Sequence, residues 1–209
     1  MKILEHDNLK NQMNKHLKQQ MVAGRVFLDR FCMIDEDSRK STSYADPNYS
    51  GFYYHLSKYI DPENVVDFNF DLGLLPATFM ISCKSVKNFL GFREKTNDFF
   101  SFRLGRRNIK RVFKGSTKYY HGGIYDKEFD EIFGNFFWDF IIFNSEERYD
   151  KMLEKLEFVW FNLKENGIIV CENIKRYTPI REAFMAFSES HNRKPIVFDT
   201  RYGTGLLQK

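Results

Sequence analysis

Two side chains in this sequence, one imidazole and one carboxylate, are candidates for a general base. His121 ends a short aromatic segment, and Glu147 lies in an acidic loop before a long amphipathic segment. A base that takes a proton from a hydroxyl group must lie within hydrogen-bond reach of it, and a carboxylate serves best where partial desolvation raises its pKa. Each residue also has a structural alternative: an imidazole satisfied within the fold, and a carboxylate in an exposed loop. Both residues are candidate bases, and the sequence alone does not decide between these roles and the structural alternatives.

The elements that must position these residues alternate between strands and helices. Five apolar segments have the composition of buried strands: residues 65–68, 87–92, 118–121, 139–143 and 168–171. Amphipathic segments between them predict helices. Such alternation predicts a mostly parallel sheet with right-handed crossovers. Ligands bind beyond the carboxyl ends of such strands, so the loops after them should hold the site.

Turn residues predict where the helices end. Asn166-Gly167 is expected to end the long helix that begins near Tyr149, and Thr178-Pro179 is expected to begin the last helix, with Thr178 as its cap.

The two ends of the chain complete the predicted architecture. Residues 195–198 and 206–208 pair most simply as an antiparallel finish. Apolar residues near the N-terminus recur at four-residue spacing, which predicts an amphipathic helix: Met13, Leu17 and Met21. We therefore expect a doubly wound α/β domain over residues 61–209, with an antiparallel last strand, and an N-terminal helical extension over residues 1–60.

One long passage, residues 138–174, carries a family pattern. Its sequence is WDFIIFNSEERYDKMLEKLEFVWFNLKENGIIVCENI. In order, this passage contains an aromatic-Asp pair, a predicted strand, an acidic loop, a predicted helix, a turn, a second predicted strand and the pair Glu172-Asn173. This pattern resembles class I S-adenosylmethionine-dependent methyltransferases, most closely small-molecule O-methyltransferases of the macrocin and catechol type. The final GTGLLQK also resembles their last strand. The resemblance covers about residues 65–209. It implies a Rossmann-like fold, S-adenosylmethionine as cofactor and methyl transfer to oxygen.

The resemblance places cofactor residues in the first loop. The family pattern there is acidic-x-Gly-x-Gly-x-Gly, and this chain has DFNFDLG, which keeps Asp67 and Gly73. Asn69 stands at a glycine position and tolerates left-handed backbone angles better than most residues. Phe70 and Asp71 are expected to crowd the methionine end of the cofactor.

Further cofactor contacts are implied after the next three strands. Arg93 stands where the family has the carboxylate that accepts hydrogen bonds from the ribose hydroxyls. Arg offers donors only, so either the neighbouring Glu94 serves or the contact is absent. Gly122-Gly123 follows the third strand, where the family often has Gly-Asp, and Asn144 follows the fourth.

The resemblance also implies a possible magnesium site. Metal-dependent members hold the ion with oxygen ligands that match Asn144, Glu172 and Asn173, and Mg²⁺ prefers oxygen. The alternative is that the two asparagines only complete strand ends and bind water. Glu147 stands where the family often has His or Lys, which supports it as a base.

Composition limits the remaining functions. The chain has 209 residues, enough for one full domain, with 43% hydrophobic residues and a net charge of +4. Three dispersed cysteines suggest neither a disulfide framework nor a zinc site: Cys32, Cys83 and Cys171. The sequence shows no apolar run long enough for a signal peptide or a membrane span. We expect a cytoplasmic protein with no membrane partner.

A basic segment, residues 103–118, is expected to form the outer face of a helix. Such a face is usually only solvated, although it could attract a phosphorylated or nucleic-acid substrate. The neighbouring aromatics Phe99, Phe100 and Phe102 have core spacing rather than base-stacking spacing, which argues against RNA.

Three functions follow from these residues. The sequence favours an O-methyltransferase that acts on a small molecule or sugar, with the N-terminal segment as a lid or homodimer contact. The alternatives are a methyltransferase fold that binds without catalysis, suggested by the altered glycine loop, and an RNA methyltransferase. Nucleic acid is the less expected partner.

Overall fold

A computed structural model describes residues 4–18, 47–94, 100–143 and 147–209. Within these ranges seven strands form one sheet in the order β3-β2-β1-β4-β5-β7-β6. The strands are β1 (Asn64–Phe68), β2 (Asn88–Arg93), β3 (Ser116–His121), β4 (Trp138–Phe143), β5 (Leu163–Glu172), β6 (Ile196–Phe198) and β7 (Thr204–Gln208). Only β7 runs antiparallel to its neighbours. The predicted doubly wound sheet with an antiparallel last strand is confirmed.

Seven helices are present in the described ranges. They are α1 (His6–Lys18), α2 (Pro47–Ile60), α3 (Leu74–Ser82), α4 (Phe100–Val112), α5 (Lys127–Gly134), α6 (Tyr149–Asn162) and α7 (Thr178–Ser190). Residues of α1 to α4 pack in one hydrophobic cluster on one face of the sheet. Residues of α5 to α7 pack in a second cluster on the other face. No helix in these ranges is long and apolar enough to cross a membrane.

The central strands follow from their apolar sequences. All six residues of β4 (WDFIIF) are buried, and so are all five of β1 (NVVDF). Strands covered by helices on both faces need apolar side chains on both sides, so they lack the alternation of a surface strand. Asp139 is the exception in β4: its Oδ2 accepts hydrogen bonds from the backbone N–H groups of Glu63 and Asn64. This carboxylate ties the start of β1 to β4.

The N-terminal helices share the core of the sheet. Leu9 and Met13 of α1 are buried in the same cluster as Phe52 of α2, as the apolar spacing predicted for Met13. The backbone N–H of Leu4 donates to Oε1 of Gln208 in β7, at 2.7 Å. The Leu17 side chain and Met21 lie outside what the structure describes.

Two predicted boundaries are wrong. The long helix ends at Asn162 rather than at Asn166-Gly167, and β5 begins at once with Leu163. Leu163 continues the helical periodicity, but its backbone is extended and it pairs with Trp138 of β4. Thr178 is the first residue of α7 rather than its cap, because the cap position is Tyr177.

Candidate functional site

The first loop leaves the carboxyl end of β1 through a tight turn. Asn69 has φ 81°, a left-handed backbone conformation, as its position in the glycine pattern predicted. The backbone N–H groups of Asn69 and Phe70 both donate to the carbonyl of Phe92 in β2, at 2.9 and 2.7 Å. Asn69 therefore adopts the left-handed backbone conformation for which the family pattern has a glycine at this position.

Phe70 points into the core rather than toward the sheet edge. It is fully buried and contacts the rings of Phe89, Phe102 and Tyr119. A methyl group added at Gly91 would lie 2.8 Å from the Phe70 ring, so this glycine makes room for it. The expectation that Phe70 crowds the cofactor is therefore wrong: the alternation of the loop exposes Asn69 and turns the next side chain inward.

Asp71 and Arg93 form an ion pair across the ends of β1 and β2. The Arg93 guanidinium donates from Nη1 to Asp71 Oδ1 and to Ser101 Oγ, each at 3.0 Å. Its side chain is only 13% exposed, whereas that of Asp71 is 55% exposed. Arg93 thus fastens the first loop to the start of α4.

Lys155 of α6 reaches the same edge from the other face. Its ammonium donates to Glu94 Oε1 at 2.7 Å and to Glu147 Oε1. The lysine side chain is 7% exposed, that of Glu147 23% and that of Glu94 49%. These three residues border a small pocket, of about 20 Å³, whose wall also includes Asn69. The Lys155 side chain therefore lies in the wall of this pocket and holds Glu94 and Glu147 together.

A second polar cluster lies under the ends of β1 and β5. The Tyr53 hydroxyl of α2 donates to Glu172 Oε1. Burial raises the pKa of Glu172 well above its ordinary range, and burial likewise raises that of Tyr53. Burial, together with the charge of Asp71, raises the pKa of Asp67 to about 8. Burial therefore favours the protonated form of both carboxyl groups.

The described part of this cluster does not favour a magnesium ion. Glu172 is buried and its Oε1 accepts a hydrogen bond from the Tyr53 hydroxyl, whereas Mg²⁺ usually keeps several waters beside its carboxylate ligands. The Asn173 backbone carbonyl accepts hydrogen bonds from the N–H groups of Arg176 and Tyr177. Among the described residues, no group of three or more His, Cys, Asp or Glu side chains is placed to hold a metal. Asn144, the third predicted ligand, lies outside the described residues.

The end of β3 forms a separate corner of the edge. The His121 ring lies 5.5 Å from the Phe102 ring, and the Gly122 N–H donates to the Arg93 carbonyl. Asp126 Oδ2 accepts from the Gly123 N–H at 2.7 Å and from the Tyr120 hydroxyl at 2.6 Å. Asp126 thus fixes the turn that contains Gly122 and Gly123, the cofactor residues predicted after β3.

The predicted site residues fall into groups along this edge. Asn69, Glu94 and Glu147 come together around Lys155. His121 does not join them: it ends β3, at the outer edge of the sheet, and it is not among the residues that line this pocket.

Sequence reasoning missed three residues that shape this edge. They are Tyr53, Asp126 and Lys155. Lys155 was detectable, because it lies at helical spacing among the inward residues Met152 and Val159. A lysine on the buried face of a helix needs a partner, and such a position signals a nearby carboxylate.

Comparison with known proteins identifies the fold. No family model and no curated protein matches the sequence. Solved structures match over nearly the whole chain. A candidate O-methyltransferase from Klebsiella pneumoniae has a TM-score of 0.71 at 12% identity, over 98% of this chain and 99% of that one.

Two ligand-bound structures match similarly. The O-methyltransferase of Bacillus cereus in complex with S-adenosylhomocysteine (SAH) has a TM-score of 0.66 at 12% identity, over 92% of this chain and 100% of that one. TomG of Streptomyces achromogenes, an O-methyltransferase in complex with S-adenosylmethionine, has a TM-score of 0.62 at 8% identity, over 99% of both chains. The chain has the fold of class I methyltransferases, as the sequence pattern predicted.

Proposed function

We propose that this protein is an S-adenosylmethionine-dependent O-methyltransferase that acts on a small molecule or sugar. One observation carries the proposal: the left-handed Asn69 turn lies at the carboxyl end of β1, with the Glu94 carboxylate beside it. The strand order changes direction between β1 and β4, and in open α/β sheets ligands bind at that point. The full-length match to O-methyltransferase structures supports the same reading.

The residues of the first two loops fit the cofactor. The backbone at Asn69 keeps the tight approach that a glycine would give, and the side chains of Asn69 and Asp71 face solvent. Glu94, rather than Arg93, borders the pocket and supplies the acceptor for ribose hydroxyls. The bound cofactor supplies an electrophilic methyl group next to the acceptor oxygen. Lys155 must leave the pocket to admit it, which breaks its ion pair with Glu94.

Glu147 is the base that this arrangement supports best. Its carboxylate lies at the same edge as Asn69 and Glu94, whereas His121 lies two strands beyond β1. One of its oxygens, Oε2, is buried and has no hydrogen-bond partner among the described residues. When Lys155 moves away, this carboxylate becomes the proton acceptor for the substrate hydroxyl. The buried Glu172 does not support a magnesium requirement.

The N-terminal helices bound the acceptor side of the site. Tyr53 of α2 contacts Glu172 at the end of β5, so α2 closes one flank of the carboxyl edge. This placement supports a role of the N-terminal segment in covering the acceptor. A homodimer contact through the same segment is the second possibility.

The second candidate function is binding without catalysis, and Lys155 is the observation that favours it. A pocket of about 20 Å³ is far below the roughly 300 Å³ that ligand sites need. If the lysine stays in place, the fold is retained without the cofactor. In that case Lys155→Ala would bind SAH, while the natural chain would not.

Methyl transfer itself is tested with S-adenosylmethionine carrying a radioactive methyl group. The natural chain is incubated with a panel of catechols, phenols and sugars, and labelled product is extracted and counted. We expect transfer to at least one hydroxyl acceptor. Glu147→Gln should lower kcat by 100-fold or more, the low end of the contribution of a general base. A matched substitution on an exposed residue of α7, Glu182→Gln, should leave kcat unchanged.

A further inference from the structure

A cleft lined by basic side chains lies away from the site just described. It has a volume of about 640 Å³ and lies between the outer face of α4 and the edge strand β3. Five cationic side chains line it: Arg103, Arg106, Arg107, Lys110 and Lys114. Thr117 and Tyr119 of β3 form the opposite wall. We name this feature the α4–β3 groove.

The α4–β3 groove carries a concentrated positive charge. The sequence has no Asp or Glu from Phe100 to Tyr125, a stretch that holds seven Lys and Arg residues. Within the described ranges, none of these seven cations forms an ion pair with a carboxylate. Elsewhere the exposed cations are commonly paired, as Lys87 is with Glu63 and Lys151 with Glu154. Seven like charges on one helix and one strand repel each other, which costs stability unless an anion binds.

The order of these cations matches a chain of anions. From Arg103 to Lys110 the row covers about 10 Å at 1.5 Å per residue, and Lys114 extends it past the end of α4. Five cations line the groove, so about three to five phosphates of one strand can be neutralised along it. A single phosphate would use only one end of it.

The floor of the groove determines which polyanion fits. Arg106 lies 5.1 Å from the centre of the Tyr119 ring, and that ring also contacts Phe70 and Phe102. Phe113 also lines the groove and packs against the core cluster, so the cationic side chains supply the main contacts to a bound anion. Contacts to phosphates carry no sequence preference. One row of cations along one helix follows one backbone, which favours a single strand over a duplex.

We propose that the α4–β3 groove binds the phosphodiester backbone of single-stranded nucleic acid without sequence specificity. This site is independent of methyl transfer: it needs neither the cofactor nor Glu147. The sequence alone did not favour a nucleic-acid partner, because a basic helix face is usually only solvated. The structure adds two observations. The cations line a cleft beside β3, and none of them forms an ion pair with a carboxylate among the described residues.

The test is fluorescence anisotropy with a labelled 12-nucleotide deoxythymidine strand. The titrations are made without cofactor, at salt concentrations from about 50 to 300 mM. We expect a dissociation constant of about 1 μM at the lowest salt concentration. With about four phosphates neutralised, the logarithm of the affinity should fall with the logarithm of salt with a slope of about −3. The triple variant R106E/R107E/K110E should weaken binding at least tenfold and flatten the slope.

A matched variant controls for net charge. R181E/R193E/K194E makes the same charge change on exposed residues of α7 and the segment after it, and it should bind within about twofold of the natural chain. The neutral variant R106Q/R107Q/K110Q repeats the test should the charge reversal disturb folding, which circular dichroism monitors. Equal losses in the two charge-reversal variants would overturn the proposal, because the attraction would then be general. Undetectable binding at 50 mM salt would overturn it, as would tighter binding of a duplex, of adenosine triphosphate or of anionic lipid vesicles than of the single strand.

Discussion

At the scale of single residues, Lys155 occupies the edge that we propose binds the cofactor. It is a buried lysine that forms ion pairs with two carboxylates, those of Glu94 and Glu147. Buried lysines are rare without such partners. The same contacts that stabilise the fold occupy the space that a nucleoside needs, so stability and binding compete at this position.

Lys155→Met should destabilise the fold by about 1–3 kcal/mol, because Glu94 and Glu147 lose the donor between them. Urea denaturation followed by circular dichroism measures the change. Lys151→Met is the matched control on the same helix: Lys151 is exposed and pairs with Glu154, and its replacement should leave the midpoint unchanged. Equal midpoint shifts in the two variants would contradict the role assigned to Lys155.

Asp67 makes stability depend on pH in an unusual direction. Its pKa is raised from 3.8 to about 8 in the folded chain, mainly by burial. Between these values the folded state holds a proton that the unfolded state has released, so stability falls as pH rises. Glu172 acts in the same direction.

We therefore expect the natural chain to lose stability between pH 5 and pH 8, and Asp67→Asn to lose less of it, because an amide does not titrate. Denaturation midpoints at the two pH values measure this. Asp130→Asn, on the exposed face of α5, controls for the loss of an acid. An identical pH dependence in Asp67→Asn and the natural chain would show that Asp67 is ionised in the fold.

At the scale of elements, the first loop is held by the helix that follows β2. α4 approaches so closely that a Cβ on Gly105 would lie 1.9 Å from the carbonyl oxygen of Asp71. Asn108 of the same helix donates to the Leu72 carbonyl at 3.0 Å. Arg93 completes the attachment through Asp71 and Ser101. The first loop and α4 are therefore held together by close backbone contact, a hydrogen bond and an ion pair.

Gly105→Ala should cost about 1–3 kcal/mol, since the backbone atoms it meets cannot move aside freely. It should also weaken SAH binding, because the Asn69 turn shifts with the loop. Gly134→Ala is the same substitution in α5, where the nearest atom is 4.0 Å away, and it should be neutral or stabilising by up to about 1 kcal/mol. A Gly105→Ala protein as stable as Gly134→Ala would contradict the close contact.

At the scale of the whole molecule, the sheet was predictable and the details of its edge were not. Apolar runs such as that of β4 identify buried strands because a strand covered on both faces must be apolar throughout. The end of α6 was missed because Leu163 satisfies both the helical and the strand pattern. Local sequence does not tell which of two compatible backbones tertiary pairing selects.

The candidate site was predictable only in part for a similar reason. The position of Asn69 in the glycine pattern gave its left-handed backbone, since that conformation is a local property. The contacts of Lys155 and Tyr53 join residues far apart in sequence: Tyr53 and Glu172 are 119 positions apart. Spacing rules do not reach across such distances, so the small pocket beside Lys155 and the burial of Glu172 against Tyr53 became evident only in the folded chain.

The most direct test of the account is calorimetric titration of the purified chain with SAH, with and without magnesium. We predict micromolar binding that is independent of magnesium. It should weaken about tenfold in Glu94→Gln, which loses a charged acceptor worth about 1.4 kcal/mol. Glu63→Gln, an exposed residue at the opposite edge of the sheet, should bind as the natural chain does. The absence of binding to folded protein would contradict the assignment of the first loop and Glu94 as a cofactor site.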